Sequence, residues 1–115
     1  MSRNKATVER YLDGFRTSDH AKVLSCLTDD VEWFVPGAYH LRGKDAYDAE
    51  IENDAFVGQP TIEITRMIEE DDVVMAYGTL RVERATGGFF DAESCEVFVM
   101  EDSRIRERRS YVVEV

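Results

Sequence analysis

Cysteine, histidine, proline and basic charge are all scarce in this sequence, and each scarcity removes a class of function. The two cysteines, Cys26 and Cys95, lie far apart and form no CxxC pair. Neither a zinc ribbon nor a disulfide-stapled scaffold is encoded, and two free thiols in a reducing compartment are expected. The two histidines, His20 and His40, show no ligand spacing to each other or to the carboxylates, so no metal is expected. There is no glycine-rich phosphate loop and no GxSxG elbow, so no cofactor is expected either. No stretch approaches the roughly twenty apolar residues of a membrane span. The opening MSRNKATVERYL lacks the apolar core of a signal peptide. Lys and Arg number 14 against 24 Asp and Glu, and the net charge of −10 repels nucleic acid and anionic membrane. The one basic cluster, RIRERR (104–109), is interrupted by Glu107, and strand alternation would split it between two faces. The expectation is a cytoplasmic protein with neither nucleic-acid nor membrane partners.

Apolar residues make up 43% of the 115, enough for one modest core and too many for a disordered chain. Their spacing sets the elements. Val8, Tyr11, Leu12 and Phe15 repeat at i, i+3, i+4 and i+7, one stripe of a first helix. Asp19 can cap a second helix that buries Val23, Leu24 and Leu27. Asp29 and Asp30 are expected to end that helix and begin a strand, Val31 to Val35, stopped by Pro36-Gly37. A third helix is expected from Gly43 to about Ala55. After Gly58-Gln59-Pro60 the period switches to two, and four antiparallel strands follow. The first contains Ile62, Ile64 and Ile68; the others run over Val73 to Arg84, Phe89 to Met100 and Arg104 to Glu114. Helices at one end and a meander at the other predict an α+β fold, with helices on one face of a curved sheet and a cavity between them.

Three segments then look familiar: VERYLDGFRTSDHAKVLSCLTDDVEWFVPG, RGKDAY and CEVFVMEDSRIRERRSYV. Together they resemble the nuclear-transport-factor-2-like superfamily, and within it the SnoaL-like polyketide cyclases and ketosteroid isomerases. The resemblance spans nearly the whole chain and implies a single domain over residues 1–115. It implies a cone-shaped, mostly antiparallel sheet wrapped around three N-terminal helices, with an internal pocket and often a homodimer. It does not imply one activity, because the fold hosts isomerases, cyclases, dehydratases, epoxide hydrolases and binding modules.

Ketosteroid isomerases move a proton with a carboxylate base while a tyrosine and a protonated carboxylic acid hold the oxyanion. By resemblance, Tyr11 in VERYL stands where the family keeps its tyrosine; otherwise it is a core aromatic of the first stripe. Glu96 in CEVFVM stands at the acid position, with Glu in place of Asp. It is either buried and a hydrogen-bond donor or turned outward, since strands alternate faces. The base position is occupied by Val35, which cannot move a proton, and this argues against the steroid isomerase reaction.

His40, after Pro36-Gly37, is a candidate replacement because imidazole titrates near neutrality, or else it is a solvent-exposed loop residue. His20 is read as a surface residue. Asp29 and Asp30 are adjacent, point apart on an extended chain, and build no shared-proton dyad. Phe15, Trp33, Val35, Phe98, Arg108 and Ser110 are expected to line the pocket, and Tyr77 and Arg81 join them only if the register of their strand turns them inward. An Arg108–Glu96 pair would cancel the donor role of Glu96. The function expected is cofactor-free acid/base chemistry, of isomerase, cyclase or dehydratase type, on an apolar oxygenated small molecule. The alternative is a non-catalytic ligand-binding or dimerisation module.

Overall fold

In the computed structural model, which describes residues 2–115, three helices precede most of a six-stranded sheet. Helix α1 (Arg3–Arg16) starts where Ser2 Oγ accepts from the Lys5 amide at 3.0 Å, a side-chain N-cap. Its buried face carries Val8, Tyr11 and Leu12. Helix α2 (His20–Ser25) is capped by Asp19, whose carboxylate accepts from the Lys22 amide at 3.1 Å. The two helices pack closely at Gly14. A Cβ there would lie 3.0 Å from Val23 Cγ2, so only glycine fits without displacing the neighbour.

Strand β1 (Leu27–Val35) and a short β2 (Tyr39–Arg42) form a hairpin, and α3 (Lys44–Ile51) follows. Strands β3 (Phe56–Glu70), β4 (Val73–Arg84), β5 (Phe89–Glu101) and β6 (Arg104–Glu114) complete one sheet in the order β2-β1-β6-β5-β4-β3. Only β1–β6 is parallel. Two of the hairpin turns, Asp71-Asp72 and Asp102-Ser103, have positive φ at both central residues. That is the signature of the primed turns whose twist matches the strands. The sheet is curved and unclosed. Its sharpest approach is at Gly78, where a Cβ would fall 1.8 Å from the carbonyl oxygen of Glu63 on β3. A register shift in β3 between Ile64 and Arg66 sits opposite that glycine, so the strand folds over the place where β4 has no side chain.

The α+β architecture and the four-strand meander agree with the sequence-based reading. Four details differ. Leu27, expected on the second helix, is the first residue of β1, because α2 ends at Ser25. Strand β2 was not expected. The segment YHLR is too short to carry a pattern of its own and is held by pairing Val35 with Tyr39 through Glu32 with Arg42. Asp29 and Asp30 lie inside β1 rather than at a helix exit, exposed at a register shift against β6. Helix α3 ends at Ile51, before Ala55, because Asn53 Oδ1 accepts from the Ala55 amide at 2.8 Å and turns the chain. Strand β3 therefore starts at Phe56 and tolerates Pro60, as an edge strand can. No helix among the described residues is long and apolar enough to cross a membrane.

Candidate functional site

The concave face of the sheet and the helices enclose a cavity of about 550 Å³. Alternation decides which side chains reach it. On β4, Leu80 and Val82 point inward, whereas Tyr77 and Arg81 point outward; Arg81 there pairs with Asp91 and stacks on Phe89. The wall is largely apolar and aromatic: Phe15, Trp33, Tyr39, Phe56, Ile62 and Phe90 among others. At its polar floor stand Glu96, Arg108 and Ser110, from the paired strands β5 and β6.

The floor is one connected network. Arg108 donates through Nε to Glu96 Oε1 at 2.7 Å, and through Nη2 to the same oxygen. Ser110 Oγ donates to that oxygen at 2.6 Å, and Trp33 Nε1 donates to Ser110 Oγ at 2.9 Å. On its other side Arg108 donates through Nη1 to the Tyr11 hydroxyl, which also shares a hydrogen bond with the Tyr47 hydroxyl. The guanidinium carbon lies 4.3 Å from the Trp33 ring centroid and 5.2 Å from that of Phe15. Desolvated cation–π contacts of this kind offset part of the cost of burying the charge. Arg108 is 9% exposed and Glu96 4%. Burial opposes the Arg108 charge, but Glu96, Tyr11 and Tyr47 outweigh it and hold the guanidinium well above its ordinary value. Burial also pushes the Tyr11 phenol well up, against the opposing pull of Arg108, and it raises Tyr47 in the same way. Both therefore stay protonated as neutral hydrogen-bonding groups.

The residues expected in the site separate into three groups. Phe15, Trp33, Val35, Glu96, Arg108 and Ser110 all line the cavity. Tyr11 and Phe98 do not. Each is wholly buried, and the Tyr11 ring packs edge-on to Phe98 at 5.5 Å between centroids in the layer behind the floor. His40 is not in the cluster at all. As a residue of β2 between the inward-facing Tyr39 and the half-buried Leu41, it turns to the outer face. There it stacks on Phe34 and bonds Glu32 Oε1 at 3.0 Å. The Arg108–Glu96 pair set against a donor role for Glu96 is present: three donors converge on Oε1, which acts as an acceptor, while Oε2 is buried with no hydrogen-bond partner among the described residues.

Tyr47 was missed as a site residue; it lies one helical turn before Ile51, and both are buried on the inner face of α3. Also missed were Tyr39, Glu50 and Asn53. Asn53 Nδ2 donates to Glu50 Oε2, presenting that carboxylate at the cavity wall where α3 ends. Burial first, and then the negative charge of Glu50, raise the Tyr39 phenol. The basic run 104–109 is split between faces: Arg104 and Arg106 are exposed, Arg108 is internal, and Arg109 stacks on Phe34 outside. Among the described residues no three His, Cys, Asp or Glu side chains gather as metal ligands.

The match to known families is set by the same segments. A model of the SnoaL-like domain aligns with residues 8–108, from the α1 stripe to the floor arginine. The chain belongs to the SnoaL-like domain family. Among solved structures, the fold is similar to an NTF2-like protein of unknown function from Burkholderia pseudomallei K96243. That likeness has 23% identity and a TM-score of 0.91, covering 98% of this chain and 92% of that one. TerC, crystallised with polyporic acid, is 22% identical with a TM-score of 0.86, covering 97% and 92%. An LEH-like epoxide hydrolase from M. tuberculosis is 21% identical with a TM-score of 0.85, covering 96% and 83%. At these identities the likeness establishes the SnoaL-like fold and no particular activity. No curated protein matches the sequence.

Proposed function

We propose that this SnoaL-like domain binds a small, mostly apolar, oxygenated molecule in the cavity and carries out cofactor-free proton transfer of isomerase, cyclase or dehydratase type. The observation that carries the reading is the buried Arg108–Glu96 pair at the floor of an apolar cavity. A guanidinium has five N–H donors. Glu96 and Tyr11 take three, and the Tyr47 hydroxyl competes for a fourth. At least one remains for a ligand oxygen. In a water-poor site such a donor stabilises a developing oxyanion more strongly than water does. Glu96 Oε2, buried and without a partner among the described residues, accepts the proton once the side chain turns it to the ligand. A proton leaves the carbon beside a carbonyl for Oε2, the electron pair moves onto the carbonyl oxygen beside Arg108, and the proton returns at another atom. Tyr11 and Tyr47 act as positioning residues that hold Arg108 from behind. A homodimer is part of the proposal: Met75, Tyr77, Tyr111 and Val113 expose apolar surface on the convex side of the sheet.

The test is α-proton exchange of neutral cyclic ketones in D2O, followed by NMR. Wild-type protein is expected to accelerate exchange for members of the set, and Arg108→Met to abolish the acceleration. Exchange that is accelerated equally by Arg108→Met overturns the role of the floor. Binding reported by Trp33 without any exchange favours the second reading, a binding module. The feature behind that reading is Val35, the apolar residue at the family's base position.

A further inference from the structure

The charges on the cavity wall do not cancel, and the remainder identifies a ligand class. Four charged residues line the cavity: Glu50, Glu96, Arg108 and Glu114. Arg108 is neutralised by Glu96 in place. Glu114 is neutralised by Arg84, which lies outside the lining. Glu50 alone keeps its charge without a cationic partner among the described residues; its side chain is held by the neutral amide of Asn53. An arginine at the floor of a cavity would ordinarily mark a site for anions. Here its charge is already used, and the wall that remains is negative.

Aromatic rings share that wall with Glu50. Tyr39 lies close enough for the Glu50 charge to act on its phenol, and Tyr39 stands edge-on to Trp33 at 5.6 Å between centroids. Phe56 lines the cavity beside the turn that fixes Asn53. A carboxylate and aromatic side chains lining one cavity are the combination that recognises an ammonium group, because the carboxylate supplies the charge and the rings supply a cation-tolerant apolar surface. At the floor, Glu96, which lines the cavity, keeps one carboxylate oxygen, Oε2, buried with no hydrogen-bond partner among the described residues.

We infer that the ligand is a hydrophobic amine: a ring or chain whose ammonium group pairs with Glu50, whose apolar body lies against Trp33, Tyr39 and Phe56, and whose far end brings its carbonyl and the neighbouring C–H to Arg108 and Glu96. This rests on the reading of the cavity as a ligand site and adds the charge class of what enters it. It separates Glu50, an anchor for the cation, from Glu96, the group at the reacting end.

The protein has one tryptophan, and it lines the cavity, so its emission reports occupancy directly. Wild-type protein is titrated at low ionic strength and pH 7 with 2-aminoindane, 2-indanol and indane-2-carboxylate, which share one skeleton. The amine is expected to bind about fivefold or more tighter than the alcohol, and the carboxylate weaker than the alcohol. Glu50→Gln, which keeps an acceptor for Asn53, is expected to bring the amine-to-alcohol ratio to about one. Glu9→Gln removes one charge from the exposed face of α1 and is expected to leave the ratio unchanged. An alcohol that binds as tightly as the amine in wild-type protein overturns the inference while the cavity reading stands. So does an equal loss of preference in Glu50→Gln and Glu9→Gln, because the preference would then come from the net charge of −10. Unchanged Trp33 emission with all three probes up to about 10 mM, weaker than any useful affinity, overturns the cavity reading itself.

Discussion

Replacing Glu96 by leucine tests the central physical claim, that the Arg108–Glu96 pair is a buried ion pair whose members depend on each other. The substitution keeps similar bulk and removes the carboxylate. Arg108, 9% exposed, then keeps its charge among Tyr11, Phe15, Trp33 and Phe98 with no counter-charge. Removing one partner of a buried pair costs about 3–5 kcal/mol, because the remaining ion has lost its water without compensation. Ser110 loses its acceptor at the same time. A domain of this size has about 5–15 kcal/mol of stability in all, so the variant is expected to fold but marginally. With a urea slope of about 1.5 kcal/mol per M, the midpoint falls by about 2–3 M. Adding Arg108→Met removes the stranded charge. The double variant is expected to recover most of the loss, giving a coupling of about 2 kcal/mol or more in the cycle. The assay is urea unfolding of the four proteins followed by Trp33 fluorescence and checked by circular dichroism, since Trp33 borders the changed site. A loss under about 1 kcal/mol for Glu96→Leu, or costs that simply add, would refute the claim of a desolvated pair.

Other consequences can be checked with similar means. Tyr11→Phe removes the hydroxyl that Arg108 and Tyr47 share, and a loss of about 1–2 kcal/mol in urea unfolding is expected; an unchanged midpoint would mean the hydroxyl bonds contribute nothing. Gly78→Ala places a Cβ against the Glu63 carbonyl, and a cost of about 3 kcal/mol or more is expected; a melting temperature within a degree or two of wild type would show that β3 shifts freely. His20 bonds Asp48 at 2.6 Å, which is the chief cause of its raised value, with Glu52 adding to it. A raised folded value contributes stability that is fully present below the ordinary histidine value of about 6.5 and is lost as pH rises through the folded value. Because the ring is more than a third exposed the effect is small, and His20→Gln should lower the urea midpoint more at pH 5.5 than at pH 8.5; the reverse order would contradict the pairing. Light scattering at micromolar concentration is expected to give a dimer that Tyr77→Glu converts to monomer, whereas a wild-type monomer would leave the convex apolar face without the second copy proposed for it.

Strands β4 and β6 were readable to the residue because their alternation runs unbroken between turn signals that name their own geometry. Asp71-Asp72 and Asp102-Ser103 tolerate positive φ, and glycines close the remaining hairpin. What failed to show was structure held by partners distant in sequence. Strand β2 exists because Tyr39 to Arg42 pairs with β1, and α3 stops short because one asparagine side chain outcompetes the next helical turn. The site follows the same division. The facing of Arg108 and Ser110 follows from period two, but their contact with Glu96 depends on the β5–β6 register, in which Glu96 faces Ser110 and Phe98 faces Arg108. The resemblance led to an expectation of Tyr11 in the site, yet its distance from the cavity is set by how deeply α1 settles on the sheet, which the apolar stripe alone does not specify.

Those placements change what the residue at position 35 means. By the resemblance to ketosteroid isomerases, a valine where those enzymes keep their base was read as an argument against the steroid isomerase reaction. The arrangement of charges gives it another role. Glu96 is bound to Arg108, so the floor is neutral as a pair while still offering one free donor and one free acceptor. A carboxylate at position 35, on the same wall as Arg108, would compete with Glu96 for the guanidinium and leave two acids sharing one cation in a dry site. With Val35 there, Glu96 remains the sole counter-ion, and the unpaired negative charge moves out to Glu50 at the end of α3. Which charged groups are neutralised by neighbours, rather than how many there are, is then expected to decide what enters: with the charge of its floor arginine already paired, the cavity is proposed to select against anions.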